Sequence, residues 1–309
     1  MAIRTERPII LGIVGDSASG KTTLTEGVAK ILGAERCTVI AMDDYHIYDR
    51  QQRLDHGISA VDPRGNYLDI LNQHLHLLRQ GQPILKPSYN HRDGRFGRSV
   101  YVQPRDFVIA EGLLGYANRE MRNCFDVKIY LEPDEDLRIR WKVYRDTTQR
   151  GYSRDEVLQS LERRRQDSPA FVHPQRRFAD IVIQSSKPAG ADMAETRLDM
   201  RHILRSTLPH PDFEAVVQEV GEDGLTLRLA RDDDGKPVDM LEIAGAISEE
   251  RAVQIEDTLW RLIPEARHLR DQVGRIDAAE GSGVSHPLAL SQLIVAFHMV
   301  KAAMGEMAV

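Results

Sequence analysis

The segment that decides the fold of this chain is Gly15-Asp16-Ser17-Ala18-Ser19-Gly20-Lys21-Thr22. It follows an apolar run at Ile9–Val14, which predicts a strand, and it leads into a helical pattern. The spacing fits GxxxxGK(S/T) between a strand and a helix, the context in which this pattern forms a phosphate-binding loop. Glycines let backbone N–H groups surround phosphate oxygens, and the helix N-terminus adds partial positive charge. The segment therefore predicts nucleotide binding.

Two side chains of this loop have expected roles at the nucleotide. Lys21 should reach the β- and γ-phosphates, and Thr22 should coordinate Mg²⁺. The predicted nucleotide-binding residues are Gly15, Asp16, Ser17, Ala18, Ser19, Gly20, Lys21, Thr22 and Thr23.

Phosphate-binding loops occur in switch GTPases, in motor ATPases and in small-molecule kinases, and the rest of the sequence separates these classes. No guanine-reading (N/T)KxD element is present, which argues against a GTPase. The apolar strand Phe107–Ala110 ends in Glu111-Gly112 and not in the acidic pair usual in motor ATPases. A single acid at that strand end is well placed to hold Mg²⁺ or its water, so Glu111 joins Thr22 as a predicted metal ligand.

Apolar runs and helical patterns alternate through the first half of the chain. Most runs are nearly all apolar, as strands covered on both faces are. The alternation predicts an α/β fold with a mostly parallel sheet flanked by helices. The predicted strands are Ile9–Val14, Thr38–Met42, Phe107–Ala110, Val127–Leu131 and Ile181–Ile183. The predicted helices cover residues 68–78, 134–150 and 153–167, and Ser153 with Glu156 has the capping-box spacing.

A small-residue stretch, SSKPAGAD at residues 185–192, predicts a domain boundary. We expect a phosphate-loop domain over residues 1–185, and a smaller α+β extension over residues 186–309 that packs on it. The extension is predicted to contain a strand at 197–204, a hairpin across 221–224 joining strands Ala215–Glu219 and Leu225–Ala230, and helices at Glu249–Ile263 and Pro287–Met304.

Composition and charge narrow the possible partners. The 309 residues are 41% hydrophobic and 28% charged, which is ordinary for a globular protein. Residues 1–183 carry 28 basic and 25 acidic side chains, whereas residues 184–309 carry 13 and 22. A mildly basic first part suits an anionic ligand, and an acidic second part argues against nucleic acid; the alternative is a chance drift of surface charge. Two cysteines, no apolar run near 20 residues and no leader pattern predict a cytoplasmic protein without a membrane partner.

Asp43-Asp44-Tyr45-His46 follows the second predicted strand, with Arg50 and Arg53 shortly after. Carboxylates at the carboxyl edge of a strand next to the phosphate loop point into the ligand crevice of such sheets. A kinase needs a carboxylate there to orient the acceptor hydroxyl and take its proton. Paired acids with Arg and His thus offer a base and cations for a phosphorylated acceptor. The alternative is a helix cap with solvated charges.

Two further clusters are weaker when taken alone. Lys86-Pro87-Ser88-Tyr89-Asn90-His91 combines polar and aromatic groups, and it leads into a glycine-rich loop over His91–Arg98. A basic run on one helix contains Arg138, Arg140, Lys142 and Arg145, with Arg150 just beyond it and Asp146 within it. Such a run is either a solvated helix face or a lid whose arginines stabilise charge on a transferring phosphoryl group.

These motifs together resemble the phosphoribulokinase family, in the plant and cyanobacterial branch of the phosphoribulokinase/uridine kinase superfamily. The resemblance is dense over residues 9–183 and looser through VDMLEIAGAISEE and SHPLALSQLIVAFHMVKA. It rests on seven strings in the family's order: GDSASGKTT, MDDYHIYDR, AVDPRGNYLDIL, KPSYNH, IAEGL, IYLEPDEDLRIRWKVYRDTTQRGYS and FVHPQRRFADIVI.

The resemblance implies a role for each matching residue. Asp43 is the implied base on the sugar hydroxyl, and Lys21, Thr22 and Glu111 are implied to act on the ATP phosphates and Mg²⁺. The implied catalytic residues are Asp43, Lys21, Arg145 and Arg150. The implied substrate residues are Asp43, His46, Arg50, Arg53, Tyr89, His91 and Lys142.

The resemblance also implies a P-loop kinase that uses ATP and Mg²⁺ and forms a homodimer. The implied reaction is phosphorylation of D-ribulose 5-phosphate to ribulose 1,5-bisphosphate, as in the Calvin–Benson cycle. Two alternatives stay open: a related kinase acting on uridine or another sugar phosphate, and a regulatory protein that kept the fold and lost turnover. One departure concerns thiol control, because plant relatives have cysteines where this chain has Ser19 and Ala41.

Overall fold

An eight-stranded sheet organises the computed structural model, which describes residues 6–163, 165–190, 197–262, 275–276 and 283–305. In chain order the strands are β1 (Ile9–Gly15), β2 (Cys37–Ala41), β3 (Ile84–Lys86), β4 (Tyr89–Asn90), β5 (Arg95–Phe96), β6 (Val100–Val102), β7 (Phe107–Gly112), β8 (Val127–Pro133), β9 (Ile181–Ser186), β10 (Asp199–Leu204), β11 (Leu225–Arg231), β12 (Pro237–Ile243), β13 (Arg275–Ile276) and β14 (Gly283–Val284).

The large sheet has the strand order β11-β12-β10-β9-β8-β1-β7-β2. Its five strands from β9 to β2 are parallel, and β10, β12 and β11 continue it in antiparallel pairing. The five strands predicted for the first part of the chain are therefore confirmed, with ends shifted by a few residues. Every residue of β1 is buried, as the all-apolar pattern predicts for a strand covered on both faces.

Helices cover both faces of this sheet. They are α1 (Lys21–Leu32), α2 (Arg50–Asp55), α3 (Leu68–Arg79), α4 (Arg119–Cys124), α5 (Glu135–Thr148), α6 (Arg154–Arg163), α7 (Phe213–Val220), α8 (Glu249–Leu262) and α9 (His286–Ala303). Apolar side chains of α1, α7, α8 and α9 pack in one cluster against one face. Those of α3 and α4 pack in a second cluster against the other face. The sequence prediction of a mostly parallel sheet flanked by helices is thus confirmed.

The residues after β9 extend the same sheet and the same core. β10 pairs with β9, and α9 packs against α1, the helix that leaves the phosphate-binding loop. Residues 289–300 of α9 are all buried, which explains a helix that is apolar on every side. The boundary at 185/186 stays a prediction; the observed pairing of β9 with β10 runs directly across it.

One element of the extension differs from the sequence prediction. Residues 215–219 were expected to form the first strand of a hairpin, but they lie within α7. Asp212 caps this helix by accepting a hydrogen bond from the N–H of Ala215 at 2.9 Å, and Phe213, Val216 and Val220 fill one buried face. The hairpin instead joins β11 and β12 around residues 232–236. Helix spacing and a capping aspartate outweighed the local β-branched composition.

The other predicted elements are found with small differences. Ser153 and Glu156 form the capping box that begins α6, with hydrogen bonds in both directions. The loop predicted at His91–Arg98 contains β5, which pairs with β4 in a small hairpin. Residues 164 and 263, the latter the end of a predicted helix, lie outside the described residues. Within the described part of the chain, no helix is long and apolar enough to cross a membrane.

Candidate active site

The candidate site is built at the carboxyl edge of three neighbouring parallel strands. In the register of the sheet, Glu111 of β7 is paired with Ile13 of β1 on one side and with Ala41 of β2 on the other. The phosphate-binding loop begins two residues after Ile13, and Asp43 follows two residues after Ala41. The register therefore brings the loop, Glu111 and Asp43 to one edge, where open α/β sheets bind ligands.

The phosphate-binding loop has the tight backbone that its small residues allow. Ala18 and Gly20 have φ angles of 66° and 90°, in the left-handed region. A Cβ atom on Gly15 would lie 2.6 Å from the carbonyl oxygen of Leu131 in β8, so only glycine fits there. The Nζ atom of Lys21 donates hydrogen bonds to the carbonyl oxygens of Gly15 at 2.9 Å and Asp16 at 2.8 Å. Its ammonium group thus lies across the loop, where phosphate oxygens would be held.

Thr22 and Glu111 provide oxygen ligands suited to Mg²⁺. The Thr22 hydroxyl donates a hydrogen bond to the Glu111 carboxylate at 3.2 Å. Burial raises the pKa of Glu111 and lowers that of Lys21, while the attraction between the two opposes both shifts. Mg²⁺ usually takes one or two protein oxygens and fills its other positions with phosphates and water. The pair fits that requirement, and no cluster of three or more acidic, His or Cys groups suited to a metal occurs among the described residues.

The two neighbouring acids Asp43 and Asp44 have different surroundings. Asp43 faces the cleft beside the loop, and its Oδ1 accepts the backbone N–H of Leu113 at 3.2 Å. Burial favours its protonated form, but Lys21 and that N–H hold the pKa of Asp43 below its ordinary value, so it is ionised at neutral pH. Asp44 is buried in an ion pair with Lys86 and accepts the N–H of Tyr89 at 2.8 Å. Asp43 is therefore available to a ligand, whereas Asp44 fixes the segment that carries Tyr89.

A cleft opens beside the loop, with an empty volume of about 580 Å³ including its mouth. It brings together residues from α2, β4 and the end of α5 that are far apart in the sequence. The predicted residues that line it are Ser17, Asp43, His46, Arg50, Arg53, Tyr89, His91, Lys142 and Arg150, and Asp146 of the basic run lines it as well.

Hydrogen bonds and ring contacts hold the acceptor side of the cleft in place. The Arg53 guanidinium donates to the Tyr89 hydroxyl at 2.7 Å, and Arg50 donates to the carbonyl oxygen of His91 at 2.6 Å. The Tyr89 ring meets the rings of His46 and His91 edge to face, each at a centroid distance of 5.0 Å. The two arginines are thus fixed in orientation while remaining at the cleft wall.

The histidines of this wall are neutral. Burial lowers the pKa of His46 to about 4 and also lowers the pKa of His91. His46 makes a 2.8 Å hydrogen bond through Nδ1 to the side-chain oxygen of Asn66. Burial and the positive charge of Arg150 favour the uncharged ring of His91. The positive charge on this side therefore comes from arginine and lysine.

The basic run on α5 is a network around one buried carboxylate and not a solvated face. Asp146 accepts hydrogen bonds from Lys142 at 2.7 Å and from Arg145 at 2.9 Å, and Arg150 lies 3.6 Å away. Burial opposes its ionisation, but Arg145 and Lys142 hold the pKa of Asp146 below its ordinary value. Arg145 also donates to the Ser17 hydroxyl at 3.0 Å, which connects this network to the phosphate-binding loop.

Some residues of the site carried no decisive sequence signal. Arg138 was noted only as part of the basic run, but it donates to the carbonyl oxygen of Ser17 at 3.0 Å. Tyr152 and Glu156 also line the cleft. The sequence placed Tyr152 only within a longer motif and Glu156 only in the capping box of α6. The position of Tyr152 two residues after Arg150, in RGYS, was the available signal for that residue. The other lining residues that were not predicted are Ala60, Leu113, Val157 and Ser160.

The first part of the chain is similar in sequence to known proteins. Residues 10–189 match the model of the phosphoribulokinase/uridine kinase family. The phosphoribulokinase of Synechocystis sp. is 38% identical over 184 residues, which are 60% of this chain and 55% of that protein. The chloroplastic phosphoribulokinase of Triticum aestivum is 32% identical over 196 residues, 58% of this chain and 48% of that protein. The chain thus spans about half the length of these curated phosphoribulokinases.

Two further matches cover most of the length of the other protein. A uridine kinase of Geobacillus sp. is 31% identical over 189 residues, which are 58% of this chain and 86% of that protein. A phosphoribulokinase structure from Rhodobacter sphaeroides matches with a TM-score of 0.59 at 20% sequence identity. The aligned region covers 86% of this chain and 99% of the Rhodobacter chain. The structural likeness shows the fold, and its coverage exceeds the share matched by the family model.

Both cysteines are buried in the apolar clusters that cover the two faces of the sheet. Cys37 packs in the cluster with α1 on one face of the sheet, and Cys124 in the cluster with α4 on the other. Burial raises the pKa of these thiols to about 12 and about 11. Reactive cysteines are accessible thiolates, so neither residue suits a redox switch.

We therefore expect nucleotide affinity to be independent of thiol oxidation. After incubation with oxidised or reduced dithiothreitol, the Kd for ATP measured by calorimetry should agree within about two-fold, because no reactive thiolate forms. Mass spectrometry under denaturing conditions should find both thiols free. A reversible loss of affinity of more than about five-fold, together with a Cys37–Cys124 bridge, would contradict their placement on opposite faces.

Proposed function

The chain belongs to the phosphoribulokinase/uridine kinase family, and we propose that it transfers the γ-phosphoryl group of ATP to the 1-hydroxyl of D-ribulose 5-phosphate. The observation that carries this proposal is the cleft itself. An ionised Asp43 faces the acceptor position beside the phosphate-binding loop, and Arg50, Arg53, Lys142 and Arg150 line the same cleft. This combination suits an acceptor that has both a hydroxyl group and an anionic phosphate.

In the proposed reaction, the acceptor oxygen attacks the γ-phosphorus while Asp43 accepts the hydroxyl proton. A bond forms between that oxygen and phosphorus, and the bond from phosphorus to the β-phosphate oxygen breaks, which releases ADP. Lys21 and Arg145 would balance negative charge on the transferring group, since both contact the loop. Thr22 and Glu111 would hold Mg²⁺, which supplies further charge neutralisation.

The charge of the cleft favours a sugar phosphate over uridine. A neutral nucleoside would offer no anionic group to Arg50 and Arg53, whose guanidinium groups donate to neutral oxygens of His91, Tyr48 and Tyr89. Each charge-assisted hydrogen bond contributes about 1.5–3 kcal/mol, so an acceptor phosphate facing two arginines gains substantially over an uncharged acceptor. Uridine and other sugar phosphates are the alternative acceptors, because the family and its relatives include uridine kinases.

The wider biological role is part of the same proposal. Formation of ribulose 1,5-bisphosphate would place the protein in a Calvin–Benson type cycle. We further propose that the protein acts in the cytoplasm and that it has no nucleic-acid or membrane partner. We also propose a homodimer, which is the commonest closed assembly of soluble proteins and fits a sheet with the outer strands β2 and β11.

An acceptor panel tests the proposed function. ADP release coupled to NADH oxidation should be seen with ribulose 5-phosphate, at a kcat/KM at least about 100-fold above that with uridine, ribulose, ribose 5-phosphate or fructose 6-phosphate. Turnover of uridine alone would show that the cleft had been assigned to the wrong acceptor class. ATP binding without turnover of any acceptor would instead favour a regulatory protein.

The Asp43→Asn variant tests the proposed base. It keeps the shape of the side chain and removes its ability to accept a proton, so kcat should fall by about 10²–10⁴. The Kd for ATP should stay within about three-fold, because the ligands of the nucleotide lie on the loop. Asp55→Asn, at an exposed position of α2, is the matched control and should retain wild-type kcat. If Asp43→Asn kept more than half of the kcat, Asp43 would not be the base.

A further inference from the structure

The side chain of Arg50 contacts both Gly94 and Tyr152. An added Cβ atom on Gly94 would come within 2.5 Å of the Arg50 Cβ and 2.6 Å of its Nε. The guanidinium carbon of Arg50 lies 4.4 Å from the centroid of the Tyr152 ring. Only a glycine at position 94 leaves room for this arrangement, and its φ of 75° also favours glycine. Arg50 is thus clamped in one plane at the wall of the cleft.

Two hydrogen bonds fix the ends of this clamp. The backbone N–H of Arg50 donates to the carbonyl oxygen of Gly94 at 2.8 Å, and Nη2 donates to the carbonyl oxygen of His91 at 2.6 Å. The Nε–H of Arg50 is buried and has no hydrogen-bond partner among the described residues. A buried donor without a partner costs free energy, so the contacts with Gly94, His91 and Tyr152 must hold the side chain in this position against that cost.

Tyr152 reaches Arg50 from the other half of the site. It lies between Arg150 at the end of α5 and the cap of α6, and its backbone N–H donates to the carbonyl oxygen of Asp146 at 3.0 Å. Asp146 is the carboxylate around which Lys142, Arg145 and Arg150 gather. The stacking of Tyr152 on Arg50 therefore joins the phosphate-loop side of the cleft to the acceptor side.

We infer that Tyr152 is a specificity-determining positioning residue: its ring holds the guanidinium of Arg50 at the cleft wall so that Nη–H groups meet the phosphate of the acceptor. The inference rests on the proposed function and adds the residue that sets affinity for the phosphorylated acceptor. A cation over an aromatic face is attracted to the ring, and a guanidinium also stacks flat against it. Because Arg50 is already planar and oriented, less side-chain freedom is lost when the phosphate binds.

The test compares the Tyr152→Phe and Tyr152→Leu variants in steady-state assays with ribulose 5-phosphate and ATP. Phenylalanine keeps the ring and should keep the KM for the acceptor within about two-fold. Leucine removes the aromatic face and should raise that KM about ten-fold, while the KM for ATP and kcat change by less than about two-fold. Tyr144→Leu, at an exposed tyrosine of α5 outside the cleft, is the matched control and should behave as wild type.

A double-mutant cycle with Arg50→Gln separates positioning from a general structural effect. If Tyr152 acts through Arg50, adding Tyr152→Leu to Arg50→Gln should raise the acceptor KM by less than about two-fold more. Circular dichroism and thermal unfolding check that the variants fold. An unchanged acceptor KM in Tyr152→Leu, or full additivity with Arg50→Gln, overturns the inference and leaves the proposed function standing. No turnover of ribulose 5-phosphate by the wild type overturns the proposed function, and the inference with it.

Discussion

The parallel register of β1, β7 and β2 is the constraint on which the site depends. It aligns Ile13, Glu111 and Ala41 across three strands, so that three different connections begin at the same level of one sheet edge. A slip of the register would displace Glu111 and Asp43 relative to the phosphate-binding loop and would turn their side chains to the wrong face. The buried, apolar faces of these strands fix the register. Packing of the core therefore also determines where Glu111 and Asp43 lie relative to the phosphate-binding loop.

Charge balance is the second requirement, because the site concentrates ionised groups in a partly buried place. Each buried carboxylate has cations beside it: Asp43 has Lys21, Asp44 has Lys86, and Asp146 has three basic side chains. Burial favours the protonated forms of Asp43 and Asp146, and the neighbouring cations hold the pKa of both below the ordinary value. Asp43 and Asp146 both line the cleft, but Asp146 is held by its basic neighbours, whereas no salt bridge to Asp43 occurs among the described residues; Asp44 is paired with Lys86. Arg50 and Arg53, which donate to neutral oxygens of His91 and Tyr89, add positive charge to the cleft wall.

The sequence was informative where the signal is local and periodic. The phosphate-binding loop, the five parallel strands and the capping box at Ser153 follow from spacing within a few residues. It was wrong at α7, where Asp212 and the spacing of Phe213, Val216 and Val220 compete with a β-branched composition. The roles assigned to individual site residues stay predictions.

Properties set by tertiary surroundings could not be read from the sequence. Asp43 and Asp44 are adjacent and identical in type, and only their neighbours in space give one to the cleft and the other to Lys86. Burial lowers the pKa of His91 and favours its neutral ring, and no local sequence pattern indicates that burial. Tyr152 reaches Arg50 across about one hundred residues of chain, and no local pattern indicates that contact.

The central proposal is that the site at this edge of the sheet catalyses transfer of the γ-phosphoryl group of ATP to the 1-hydroxyl of ribulose 5-phosphate. It is tested most directly by ³¹P NMR of the product formed from ATP, Mg²⁺ and ribulose 5-phosphate. The expected spectrum shows a new phosphomonoester whose signal is split by the methylene protons of C1, beside the existing phosphate on C5, and growth of ADP in equal amount. Release of inorganic phosphate without a new ester, or a new ester split by a single proton of a secondary carbon, would contradict the claim.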